Sequence, residues 1–321
     1  MRIKKQIGLI FALCFLTNFG FGQSQKSFEK LVSETNEYIS QYSKLSPFVE
    51  YYEIKGFGLS KKETKEILVE ADYDATLTKN KDSIASYHII GYFQEKIINN
   101  IHRLISHNKF KINNIKEQLQ SNDIDLALVV SDDKKLYNFS LAEKTGGTYR
   151  SQISIMHYTE INQDSLPTQE EIDKGIRISP YTVFEGDGFN NIYSIETKEG
   201  TKYVLTGYVR GCSYCFETNV MLVRLEGGIF QQDFVYSINS RSWEEGVYYD
   251  PNSQIITVDY VTDDLTTDCD CINNAELDDE QDSYYSDNEE TEPINKSCHC
   301  TFEFNGLNFE LIKESWEKIK E

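Results

Sequence analysis

From Phe28 to Tyr42 the positions Phe28, Leu31, Val32, Thr35, Tyr38, Ile39 and Tyr42 fall on one stripe of a 3.6-residue period. This predicts an amphipathic helix that Ser46-Pro47 ends. A stronger pattern runs from Asp82, an N-cap residue type, to Ile105, with Ile90, Phe93, Ile97, Ile101 and Leu104 on one face. Ser60 to Ala71 and Ile112 to Leu119 are shorter helical stretches. Near Asp123 the period changes. Leu126–Val130, Lys135–Leu141 and Tyr149–Tyr158 are short runs of β-formers, with Asp132-Asp133 and Gly146-Gly147 as turns. Further strands are predicted over Asn191–Thr197, Lys202–Arg210, Thr218–Leu225, Ile229–Ile238, Gln254–Tyr260, Cys298–Phe304 and Leu307–Lys313. Lys198-Glu199-Gly200, Gly227-Gly228, Pro251-Asn252 and Asn305-Gly306 separate them.

Such short connections cannot hold the crossover helices that parallel strands need. The expected fold class is therefore α+β: a helical N-terminal region over 23–120, then an antiparallel β meander over 121–321, built as a sandwich or as propeller-like blades. Residues 1–22 read as a secretory signal peptide, with Arg2, Lys4 and Lys5 before an apolar run from Ile7 to Phe19 and small residues Gly20 and Gly22 at the cut. Asn18 interrupts that run before it reaches spanning length, and Cys14 lies inside it rather than at a lipoprotein cleavage position. The expectation is an exported chain, periplasmic or extracellular, with no membrane span.

Charge narrows the partners. The 321 residues include 52 Asp and Glu against 32 Lys and Arg, a formal charge of −20, which disfavours nucleic acid because duplex binding relies on basic clusters. Thirteen of the acidic residues lie between Asp263 and Glu292, where there is no Lys or Arg. That composition predicts a solvated, disordered loop over 274–296.

The segment Asp133-Lys-Lys-Leu-Tyr-Asn-Phe-Ser-Leu-Ala-Glu-Lys-Thr-Gly-Gly-Thr148 resembles a group of uncharacterised secreted Bacteroidetes proteins. These carry Asp-Gly-Lys-Leu-Arg-Ile-Tyr-Ser-Trp-Asp followed by Thr-Gly-Gly-Thr. Here Lys134 replaces the turn Gly, and Leu141-Ala142 replace Trp-Asp. The resemblance covers about residues 120–160 and implies export and a helical part followed by a β-rich part. It implies no activity.

Six cysteines follow the signal segment: Cys212 and Cys215, Cys269 and Cys271, Cys298 and Cys300. An even number in an exported chain reads first as disulfides. If the two Cys-x-Cys segments form an antiparallel pair, Cys269 lies opposite Cys300 and Cys271 opposite Cys298, at a separation a disulfide can close. Cys212 and Cys215 sit at a turn they can close themselves. Four thiolates, with His299, are an alternative zinc set, although structural zinc favours wider Cys-x₂₋₄-Cys spacing. Redox chemistry at Cys212 and Cys215 lacks the helix N-terminus that lowers a thiol pKa. The acidic loop is rich in calcium-type oxygen ligands, but Glu185-Gly-Asp-Gly188 is only a fragment of a calcium loop.

His102 and His107 are five apart, so a helix puts them on different faces. No nucleophile elbow, His-Glu-x-x-His or phosphate loop occurs in the sequence. Tyr51-Tyr52, Tyr248-Tyr249 and Tyr284-Tyr285 read either as a platform for carbohydrate or peptide or as half-buried sheet positions. No catalytic, cofactor-binding or metal residue is assigned, and no cofactor is expected. The functional expectation is a secreted non-catalytic interaction or structural protein with a protein or glycan partner. The alternatives are a secreted hydrolase using a buried carboxylate pair, or a chain binding calcium or zinc through the acidic loop or the Cys-x-Cys segments.

Overall fold

A computed structural model describes residues 27–71, 82–110, 115–119, 125–147, 150–160, 182–185, 188–211, 214–226, 229–242, 244–264, 269, 271–272 and 294–319. The expected signal segment, most of the acidic loop, Tyr284-Tyr285 and Cys212 lie outside them.

The architecture is α+β. Helix α1 (Phe28–Tyr42) begins where the Ser27 hydroxyl accepts from the Lys30 N–H, and it buries Phe28, Leu31, Val32, Thr35, Ile39 and Tyr42. Helices α2 (Lys61–Ala71), α3 (Ser86–Ile105) and α4 (Ile115–Gln118) follow. Asp82 does not cap α3. Ser83–Ala85 form a short strand β2 paired with β1 (Tyr51–Glu53), and the helix starts only after it. Ile84 on β2 is fully buried, so tertiary packing overrides the local cap signal.

Three antiparallel meanders follow in chain order. Sheet I contains β3 (Leu126–Val130), β4 (Leu136–Ala142), β5 (Gln152–Tyr158) and β6 (Thr182–Glu185). Sheet II contains β7 (Phe189–Thr197), β8 (Gly200–Arg210), β9 (Phe216–Glu226) and β10 (Ile229–Ser240). Sheet III contains β11 (Gly246–Asp250), β12 (Ile255–Asp264), β13 (Ile294–Phe304) and β14 (Phe309–Lys318). Of these, β6 and β11 are additions to the strands expected from the sequence. The expected disordered stretch 274–296 is corrected at its end, because β13 begins at Ile294 and Lys296 is fully buried.

Alternation of side chains sets the layers. Leu126, Leu128, Phe139, Leu141 and Ile155 of sheet I share a core with α1 and α3. The opposite face of sheet I, through Leu136 and Met156, meets Ile192, Tyr203, Leu205, Met221 and Val223 of sheet II. The other face of sheet II, with Ile195, Val204, Val220, Leu222 and Tyr236, meets Val258, Ile256 and Phe302 of sheet III. Sheet II is thus buried on both faces, which is why Tyr203–Leu205 and Val220–Val223 are continuous apolar runs. The resulting order is helices, sheet I, sheet II, sheet III.

Polar links join the layers. The Tyr203 hydroxyl donates to Asp133 Oδ2 at 2.8 Å, and Asp133 also takes the Ser131 hydroxyl and the Lys135 N–H. Between sheets II and III, Lys202 Nζ donates to Asp233 Oδ2 at 2.7 Å and to the Leu307 carbonyl at 2.6 Å, while Arg224 pairs with the second Asp233 oxygen. Burial, and then the neighbouring Arg224 charge, push the Lys202 ammonium below its ordinary pKa.

Candidate functional site

The cysteines form bridges, but not in the expected register. Cys269 is bonded to Cys298 and Cys271 to Cys300, with Cα separations of 5.7 and 5.9 Å. Both edges of β13 are occupied, since Cys298 lies opposite Tyr260 on β12 and Trp316 on β14. The 269–271 segment therefore cannot pair as a strand. It crosses the sheet face, where the Cys269 N–H donates to Glu314 Oε1 at 2.7 Å, and it advances in the same direction as β13. All four sulfur-bearing residues are buried within the sheet II–sheet III core. Cys215 is disulfide-bonded, and its expected partner Cys212 lies outside the described residues.

These bonds leave no thiolates at the four positions for zinc. His299 is on the opposite face of β13 from Cys298 and Cys300, where its Nδ1 meets Asp259 Oδ1 on a sheet surface. Ser315 lies opposite His299 on β14, completing a Ser, His and Asp row across three strands. The row sits on an open face, with His299 about half exposed, and its Ser and His are joined only by strand register. No group of three or more His, Cys, Asp or Glu among the described residues could hold a metal.

The two described tyrosine pairs do not converge. Tyr51 and Tyr52 pack against the helical core, with the Tyr52 hydroxyl accepting from the Ser46 N–H. Tyr249 packs against Tyr193 and Phe309 in another core, which leaves Tyr248 exposed. Among the described residues, enclosed carboxylates do not pair either. Asp125 belongs to the helix–sheet I junction and Asp233 to the sheet II–sheet III link, and each is tied to a lysine.

A built concavity occurs where the loop after α1 faces the end of sheet I. The cleft has a volume of about 460 Å³, and its walls are Leu45–Phe48 on one side and Asp125, Ala142, Lys144 and Arg150–Gln152 on the other. Its base is fixed by a dense network. Lys144 Nζ lies 2.8 Å from Asp125 Oδ1, donates to the Leu45 carbonyl at 2.9 Å and sits 4.6 Å from the Tyr42 ring centre. Tyr42 donates to the Ala142 carbonyl, and Gln94 of α3 donates to both the Tyr42 hydroxyl and the Glu143 carbonyl. Burial raises the Tyr42 pKa far above its ordinary value, with Asp125 and Glu143 adding to the rise and the Gln94 hydrogen bond opposing it.

The backbone around this base is unusual. Lys144 has φ +54°, and Gly146 and Gly147 have φ +89° and +63°. Left-handed conformations suit glycine and cost a lysine energy, so the turn is held by its surroundings. A side chain at Gly146 would touch Pro47 across the cleft. Within the wall, the Ser151 hydroxyl is buried without a hydrogen-bond partner among the described residues. Phe48, at 67% exposure, forms an open apolar lip. Sequence reasoning reached Gly146-Gly147 as a turn but missed the cleft beside it, whose walls come from Leu45–Phe48, Asp125, Ala142, Lys144 and Arg150–Gln152. No family model, curated protein or solved structure matches the chain.

Proposed function

We propose that the chain is an exported, non-catalytic interaction protein, acting in the periplasm or outside the cell, and that the cleft beside Lys144 is where it meets a peptide or glycan partner. The observation that carries this reading is the composition of the cleft: an apolar lip of Pro47 and Phe48 facing charged groups at the end of a sheet. Concave sites with mostly apolar walls and a few convergent polar groups are typical of ligand recognition. The chemistry in the walls fits binding better than turnover. Asp125 is committed to Lys144, so it is poorly placed to act as a general acid or base.

Export is supported by the two bridges, because disulfides persist in oxidising compartments. No helix among the described residues is long and apolar enough to cross a membrane. The test is a melting-temperature screen of the mature chain against short peptides and oligosaccharides, run in parallel on Phe48→Ala. Specific partners raise the melting temperature of the wild type, since ligands of the native state stabilise it by mass action. The increment should fall in the variant. An increment retained in full by Phe48→Ala would remove the cleft from the account.

A further inference from the structure

The two walls of the cleft differ in chemistry. Leu45, Pro47 and Phe48 offer apolar surface, whereas Lys144 and Arg150 offer hydrogen-bond donors. In Lys144 the ammonium is already shared between Asp125 and the Leu45 carbonyl. Arg150 is different: it is exposed, and its guanidinium has no ion-pair or hydrogen-bond partner among the described residues, in a chain where acidic residues outnumber basic ones 52 to 32.

Its backbone, however, is pinned. Arg150 N–H donates to the Arg210 carbonyl at 2.7 Å, and the two residues form an isolated antiparallel bridge between the ends of sheets I and II. Directly opposed residues in such a bridge carry their side chains on the same face, and like charges there repel. The bridge holds the Arg150 backbone in place at the end of sheet I, beside the cleft. Next to Arg150, Ser151 is 2% exposed and its hydroxyl has no hydrogen-bond partner among the described residues, so of these two neighbours only Arg150 presents a donor to a ligand.

We infer that the cleft takes a small organic carboxylate bearing an apolar group, with the carboxylate on Arg150 and the apolar group against Pro47 and Phe48. Arginine and a carboxylate match as a planar fork, and such charge-assisted bonds are stronger than neutral ones. The volume, about 460 Å³, lies in the lower part of the range of small-molecule sites, about 300–1,000 Å³, and suits a ligand of amino-acid or dipeptide size. This inference rests on the cleft being the binding site, and it adds the ligand class.

Isothermal titration of the mature chain with N-acetylphenylalanine, its carboxamide and N-acetylglycine separates the two contributions. The acid should bind about tenfold or more tightly than the amide, because only it engages the guanidinium as a charged pair. It should also exceed N-acetylglycine, which lacks the apolar group. Arg150→Gln should remove most of the preference for acid over amide. An unchanged melting temperature would show that the variant is folded, and Lys135→Gln, away from the cleft, should bind as the wild type.

Equal binding of acid and amide, or an Arg150→Gln variant with its preference intact, would overturn the carboxylate assignment and leave the cleft as a binding site. Failure of all three probes, while screen compounds still bind in a Phe48-dependent way, would overturn it equally. Loss of all Phe48-dependent binding would instead refute the underlying reading of the cleft.

Discussion

Lys144 and Asp125 meet with 2.8 Å between Nζ and Oδ1, at side-chain exposures of only 12% and 8%. This contact ties the turn after β4 to the residue before β3 at the base of the cleft. Removing one partner from an enclosed pair leaves the other charge uncompensated, at a cost of about 3–5 kcal/mol. Asp125→Ala should therefore lower the free energy of unfolding by that order in urea titration. A loss below about 1 kcal/mol, the value usual for exposed pairs, would show that solvent reaches the base of the cleft.

The crossed bridges give a second prediction, a non-additive one. Cys269–Cys298 and Cys271–Cys300 each span 29 residues of sequence. A loop of that length is worth about 3–4 kcal/mol in chain entropy when closed. Once one bridge is present, the other closes only a small ring. Replacing a single pair by Ala should cost much less than half of what replacing both pairs costs. Peptide mapping without reduction should recover the 269–298 and 271–300 links, and recovery of 269–300 would refute the same-direction crossing.

Lys134 adopts φ +59° in the β3–β4 turn, at the position where the resembling proteins carry glycine. A left-handed conformation costs a non-glycine residue about 1–2 kcal/mol, while glycine gives back about 0.5–1 kcal/mol through its larger unfolded-state freedom. Lys134→Gly should stabilise the chain by up to about 1 kcal/mol, read as a higher denaturant midpoint. Destabilisation would mean that the lysine side chain makes a compensating contact.

Acid should weaken the helical layer through His102. Burial lowers its pKa below the ordinary 6.5, so the folded state resists protonation that the unfolded chain accepts. Where the unfolded state binds more protons, stability rises with pH. His102 thus contributes a loss that sets in as pH falls through about 6.5 and levels off below its folded pKa. Comparing unfolding free energies at pH 7.5 and 5.5, His102→Gln should show a smaller acid-induced loss than the wild type. Equal losses would assign the effect to other groups.

Much of the fold was legible because its signals are local. The stripe from Phe28 to Tyr42 and the alternation along β3 to β5 depend on neighbours in sequence, and the elements fall within a few residues of the expected positions. Long-range facts were less accessible. The Cys-x-Cys spacing fits an antiparallel pair, yet β12 and β14 already occupy both edges of β13, and only the assembled sheet shows that. Likewise, β11 was hidden because Tyr248-Tyr249 also reads as an exposed platform, whereas Tyr249 packs on Tyr193. The cleft itself combines Leu45–Phe48, Asp125 and Arg150–Gln152, and no periodicity links those three segments.

The central claim, binding without turnover, is tested most directly by recovering the partner after prolonged incubation. A peptide or oligosaccharide that stabilises the wild type in a Phe48-dependent manner is held with pure protein for many hours, then released by denaturation and weighed by mass spectrometry. The account predicts recovery of the intact compound in the amount added. A product of changed mass that accumulates in proportion to protein and time, and is absent with Phe48→Ala, would contradict it and establish the cleft as an active site.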